Sequence, residues 1–305
     1  MTEVGKPMLL NNDEADLKSL DYENIDYYNS FKRDGIRVEL TKGDMVGRSL
    51  KRFRNPKLYD RFKELMDAIP EGVVMEGEIY TCGVPCREMS GICNAKTSRD
   101  IPDNTRIFLF GLMDDTLTFA ERYKKLKDIC MDKKLVLFGG NRVAQHKCHY
   151  YKSLIYDYKE ALDLGYEGLV LMRGDRLYKH GRVTIKQDIG YKMKPEREDD
   201  LEILRVTERM ENTNESLTNE LGRSYKRNTV DAKAPTGIAA TFICKLDNGE
   251  ECGVTITGEE AERRKIWANK EDYVGMYAVV KSMAYGTKDK LRHPRLLKLK
   301  ESCEK

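Results

Sequence analysis

The chain has 305 residues, 40% hydrophobic and 34% charged, with a formal net charge of +3 and eight cysteines. That length suits two domains with real cores, and the composition is that of a polar-surfaced globular protein. No apolar run approaches a membrane span, the first residues lack the layout of a signal peptide, and the cysteines show no CxxC pair or framework spacing, so the expectation is an intracellular protein with reduced thiols.

In chain order, the first informative stretch is FKRDGIR (31–37). Lys32 stands two positions before an Asp-Gly pair, with Arg33 and Arg37 close by. A lysine bonds covalently only when neutral, and one titrating near ~10.4 is almost always charged at neutral pH. Nearby positive charge and partial desolvation favour the neutral amine, and the two arginines are the right kind of neighbour. Gly35 would let the backbone approach a ligand closely. Alone, the stretch is a weak signal, since a short basic run with Asp-Gly is usually a solvated hairpin turn.

GRSLKRFRNPK (47–57) follows with five basic residues and no acid, and KSMAYGTKDKLRHPRLLKLK (281–300) has seven with one acid. Such clusters on a near-neutral chain suggest a phosphate-bearing partner. Asn55-Pro56 reads as cap and first residue of a helix with Leu58, Phe62, Leu65, Met66 and Ile69 on one face. VVMEGEIY (73–80) alternates as a strand with Glu76 and Glu78 on one side, and TRIFLFGLM (105–113) is a second strand. Thr118 and Glu121 form a capping box before a helix through Cys130. A helix over 154–164 ends at Gly165, and strands follow over 168–173 and 183–195.

Beyond Pro195 the texture changes. EREDD (196–200) reads as a charged linker, LEILRV begins a strand, and residues 209–235 read as a long polar surface loop without clear period. Asn248-Gly249 marks a tight hairpin, followed by a helix near 258–269 and strands near 274–283 and 295–299. Five short strands with one helix suit an OB-type barrel. The fold expected is α+β: a first domain over 1–196 with mainly antiparallel sheet, and an OB-type domain over 197–305.

Two strand carboxylates, Glu78 and Glu167, can hold a divalent metal, while Lys192 and Lys194, alternating on one strand, can neutralise a phosphate. Each segment has a plainer reading as an exposed edge, turn or solvated face. Together and in order, KRDGIR (32–37), GRSLKRFRN (47–55), EGEI (76–79), FLFG (108–111), EGLVL (167–171), YKMKP (191–195) and LRHPRLLKL (291–299) resemble the motifs of the covalent nucleotidyltransferases. Among these the match is closest to the ATP-dependent DNA ligases, the small viral members in particular, and it extends from Lys6 to the end of the chain.

The resemblance implies a nucleotidyltransferase (adenylation) domain followed by an OB-fold domain, and sealing of nicks in duplex DNA by a monomer, encoded by a virus or phage. ATP and Mg2+ or Mn2+ are the implied cofactors. Lys32 would take AMP covalently; Asp34 would act at the 3′-hydroxyl; Lys192 and Lys194 would contact the AMP phosphate. Ser30, Phe31, Arg37, Glu78, Phe110 and Val170 would hold the nucleotide, and Arg292 would orient the departing pyrophosphate. Glu167 and Glu78 would hold the metal. DNA contacts would come from Arg48, Ser49, Lys51 and Arg182, and from Arg223, Lys226 and Arg227 in a hairpin that closes over DNA. Gly111 and Glu76 depart from the motif, since relatives usually carry aspartate at both places, and His293 and Arg295 replace residues more often apolar. The alternatives are an RNA ligase, a capping guanylyltransferase, or a nick-binding protein without catalysis.

Overall fold

The computed structural model describes residues 3–10, 16–218, 224–227, 229–283 and 291–301. The chain divides into two compact units, Met1–Met193 and Lys194–Lys305.

The first unit is built on two sheets. In chain order its elements are β1 (Tyr27–Lys32), β2 (Ile36–Thr41), β3 (Asp44–Gly47), α1 (Pro56–Arg61), α2 (Lys63–Ala68), β4 (Met75–Tyr80), α3 (Cys86–Cys93), β5 (Arg106–Leu112), α4 (Phe119–Asp132), β6 (Gly140–Arg142), β7 (His146–Cys148), α5 (Tyr151–Asp163), β8 (Gly168–Arg173) and β9 (Gly190–Met193). One sheet has the order β3-β2-β4-β5-β6, the other β7-β1-β8-β9; only β5–β6 is parallel.

Strand alternation sorts the five-stranded sheet into two faces. Val38, Leu40, Met75, Ile79, Ile107 and Leu109 enter the core with Leu58, Phe62, Leu65 and Met66. Arg37, Glu39, Glu76, Glu78, Phe108 and Phe110 fall on the other side. The expected helix from Asn55 is two helices that meet at Phe62, whose φ of −111° and ψ of 17° break the hydrogen-bond ladder. Asn55 caps the first through Lys57 N–H, and the predicted apolar face is buried. Thr118 and Glu121 make the capping box of α4.

Three segments differ from the sequence reading. Of residues 183–195, only Gly190–Met193 pairs as strand; a 3-10 turn at Ile185–Gln187 precedes it. EREDD is not a linker but the start of β10 (Glu196–Asn212), running antiparallel to β15 (Tyr277–Met283). Its acids are matched by bases, with Lys300 on Asp200 at 2.7 Å and Lys281 on Glu196. The described residues of 209–235 are largely strand: β10 continues to Asn212, β11 (Ser216–Thr218) pairs with β12 (Ser224–Lys226), and β13 (Lys233–Lys245) returns beside β10.

In the second unit β14 (Glu251–Thr255), α6 (Glu260–Ala268), β15 and β16 (Arg292–Lys300) complete a closed barrel in the order β10-β13-β14-β16-β15. Among the described residues of this barrel, only β14–β16 pairs in parallel. The interior holds Leu201, Ile203, Phe242, Cys244, Val254, Ala278 and Val280. Asn248-Gly249 turns the β13–β14 hairpin, with Gly249 at φ 83° donating its N–H to Leu246.

Candidate active site

Lys32 ends β1 where the chain passes from one sheet to the other. Its carbonyl accepts from Glu167 N–H at 2.9 Å, and its ammonium is ion-paired to the Glu167 carboxylate. Asp34 sits half-buried in the turn that follows. The next residue shows why the motif needs glycine. A Cβ on Gly35 would lie 2.4 Å from the Ile79 carbonyl oxygen and 2.7 Å from Glu78 Cγ. The close approach is therefore to β4, not to a ligand. Gly35 N–H donates to Glu78 Oε1 at 3.1 Å, tying the turn to the second carboxylate. Gly35→Ala forces a methyl against backbone and is expected to cost about 1–3 kcal/mol, read as a lower midpoint in chemical denaturation.

Glu78 is half-buried, and burial pushes its carboxyl up; Lys32, Arg37 and the Gly35 N–H pull the other way. Arg37 is held on both sides, its Nε donating to Glu39 Oε1 at 2.9 Å and its terminal nitrogen paired with Glu76. Burial pushes Glu39 up to about 8, against the pull of Arg37. Phe110 lies under the Arg37 guanidinium at 4.6 Å, while Arg33 covers Phe108 at 3.8 Å. Both arginines that the sequence offered as neighbours for Lys32 thus have partners of their own.

Across the second sheet the register puts Ser30, Val170 and Lys192 in one cross-strand row. Residues in such a row project on one face, the face that Lys32 shares with Ser30. Phe31 is turned away: it packs in the cluster around α5, with Tyr166 at 5.1 Å. Alternation along β1 gives Ser30 and Phe31 opposite faces, so only Ser30 sends its side chain to the Lys32 side.

Arg48, Ser49 and Lys51 are exposed around a tight turn. Gly47 N–H donates to Lys51 O at 2.9 Å, and Leu50 adopts a positive φ of 62°. Arg182 is exposed beside Leu9, with which it forms a bridge. Lys194 and Arg292 belong to the second unit, Arg292 opening β16 and paired with Met283. Lys226 and Arg227 are exposed at the end of β12, where Lys226 donates to Asn212 O at 2.9 Å. Arg223 lies outside the described residues.

Sequence reading missed Glu39 and Tyr178. The buried Tyr178 hydroxyl donates to Glu76 Oε1 at 2.6 Å. Strand alternation does place Glu39 beside Arg37, a signal that could have found it; Tyr178 is 102 residues from Glu76, and no local pattern links them.

The arrangement offers an amine against a carboxylate, a second, half-buried carboxylate, a lysine on the same face and an aromatic ring under an arginine. Such a set has the chemistry to hold a nucleotide and receive its nucleotidyl group on the amine. No family model matches the sequence, and no curated protein matches it. Solved structures do. A Lig E DNA ligase is 16% identical with a TM-score of 0.71, the alignment covering 98% of this chain and all of that one. Chlorella virus DNA ligase-adenylate is 20% identical with a TM-score of 0.55, covering 99% of this chain and all of that one. The ATP-dependent ligase of bacteriophage T7, in complex with ATP, is 17% identical with a TM-score of 0.50 over 96% of this chain and 98% of that one. An α+β unit with mostly antiparallel sheets, followed by a five-stranded barrel, places the chain by fold with the ATP-dependent DNA ligases.

Proposed function

We propose that the chain is an ATP-dependent DNA ligase that acts as a monomer on nicked duplex DNA. The observation that carries this reading is the Lys32–Glu167 ion pair, set beside Glu78 by a turn that only glycine can make. In the first step Lys32 Nζ attacks the α-phosphorus of ATP, the bond to the β-phosphate oxygen breaks and pyrophosphate leaves. The lysine must first leave Glu167 and give up a proton. AMP then passes to the 5′-phosphate of the nick, and the 3′-hydroxyl displaces it to form the phosphodiester.

The nucleotide is held by Ser30 and Val170 from one sheet and by Phe110 from the other, with Arg37 on the ribose. Lys192 and Lys194 neutralise the α-phosphate. Two carboxylates, Glu78 and Glu167, together with substrate phosphates are a donor set that suits Mg2+ or Mn2+. When bound, such an ion supplies neutralisation of triphosphate charge. Arg48, Ser49, Lys51 and Arg182 are assigned to DNA. No described helix is long and apolar enough to cross a membrane.

Intact mass after mixing with ATP or GTP and magnesium tests the reading. An AMP adduct followed by sealing of a nicked duplex is expected. A GMP adduct points to a capping enzyme, sealing confined to RNA points to an RNA ligase, and no adduct points to a binding protein; each would displace the proposal.

The β11–β12 arm is assigned to the DNA phosphates through its exposed Lys226 and Arg227. Replacing residues 214–230 with a short Gly-Ser turn should weaken binding to nicked duplex. The slope of log K against log salt should shrink by roughly 0.9 for each DNA phosphate that the shortened protein no longer neutralises. Adduct formation should be unchanged. An unaltered affinity and slope would leave the arm without this role.

A further inference from the structure

The Arg37 side chain is enclosed in a series of hydrogen bonds that leads away from the reacting lysine. Glu76, 3% exposed, receives Arg37 and the Tyr178 hydroxyl on the same oxygen, Oε1. The hydroxyl in turn accepts Met8 N–H at 2.7 Å, from a segment that bridges to Arg182. Burial and the Glu76 charge hold the Tyr178 hydroxyl protonated, so it stays a donor. On its other side Glu76 fills the space over Gly111, with Oε2 2.9 Å from where a Cβ at position 111 would stand. Glu39 Oε1 holds Arg37 from two residues along the same strand, and Glu39 is fully buried.

We propose that Tyr178 is a positioning residue for nucleotide binding: it fixes Glu76, Glu76 fixes Arg37, and the missing side chain at Gly111 is the space that lets a glutamate do so. The inference rests on the proposed function, in which Arg37 meets the nucleotide. Its physical content is restraint. A guanidinium on a flexible stem loses rotamer freedom when it engages a ligand, and a carboxylate locked from a second direction removes that cost in advance. A group that acts on bound nucleotide rather than on the reacting phosphorus changes KM more than kcat.

Two variants approach the same carboxylate from opposite sides. Tyr178→Phe keeps the ring and removes the donor. Gly111→Ala pushes a methyl at the Glu76 carboxylate and at no backbone atom. Each should raise the KM for ATP in adduct formation roughly three- to tenfold, with kcat within about twofold, the size of an ordinary net hydrogen bond, because the change reaches the nucleotide only through Glu76 and Arg37. Glu76→Asp/Gly111→Ala withdraws the carboxylate from the added methyl and should recover part of the loss seen in Gly111→Ala. On an Arg37→Ala background, Tyr178→Phe should have no further effect, because the two act as one unit. Thermal melting of every variant separates these effects from unfolding. Wild-type protein that forms no adduct overturns the proposed function and this inference with it. Wild-type adduct formation with unchanged KM in Tyr178→Phe and Gly111→Ala, or with losses in kcat and melting temperature alone, overturns the inference and leaves the function standing.

Discussion

Lys32→Ala is expected to leave no AMP adduct by intact mass and no sealing of a nick that starts with an ordinary 5′-phosphate. The replacement removes the amine placed at the β1–β2 turn against Glu167 and beside Glu78. Lys192 is two strands away on β9, level with Ser30 rather than with the turn, and is not placed to take over the bond. A nick already carrying AMP on its 5′-phosphate should still be closed, slowly, since displacement of AMP by the 3′-hydroxyl uses no covalent lysine. The comparison must be made at equal folded fraction. Loss of the ammonium takes that ion-pair partner from the Glu167 carboxylate, 6% exposed, and weakening the compensation of a buried charge is destabilising. An adduct of unchanged yield on the variant would remove Lys32 from the mechanism.

Arg48→Ala and Arg292→Ala should separate the first two steps. Arg48 lies exposed on the turn after β3, well placed for an external phosphate and outside the network that holds Arg37. Its loss should leave adduct formation near wild type and slow AMP transfer to the 5′-phosphate by about 10²–10³-fold, the usual effect of removing one donor to developing phosphoryl charge. Arg292, from the second unit, should show the converse: slow adduct formation and largely normal closure of a pre-adenylated nick. Single-turnover rates of the separate steps decide this. Equal losses in every step for either variant would count against its assignment.

Much of what was legible before folding is chemistry that operates within a few residues. The cap at Asn55, the apolar face from Leu58 to Met66, the Thr118–Glu121 capping box and the Asn248-Gly249 turn depend on neighbours along the chain, and the structure forms each of them. The motif order from Lys32 to Lys192 was legible for the same reason: each motif is a short run of residue types. The arm, the EREDD start of β10 and the strand ends beside the arm were not, although LEILRV was read as the start of a strand. Residues 196–212 and 233–245 carry few buried positions along much of their length, so their pattern lacks the alternation that marks a strand with one dry face. Their pairing comes from a ladder between segments tens of residues apart.

The sequence by itself determined which groups are present: a lysine before Asp-Gly, two strand carboxylates, a lysine pair and a basic terminal run. Tertiary structure alone decided what each of them touches. It set Gly35 against the Ile79 carbonyl, turned Phe31 to the α5 side while Ser30 kept the Lys32 side, and enclosed Arg37 between Glu39 and a Glu76 steadied by Tyr178. The reason is physical. Side-chain identity follows from the chain, but burial, register and the partner of a charge are set by strands that meet only when the sheets close.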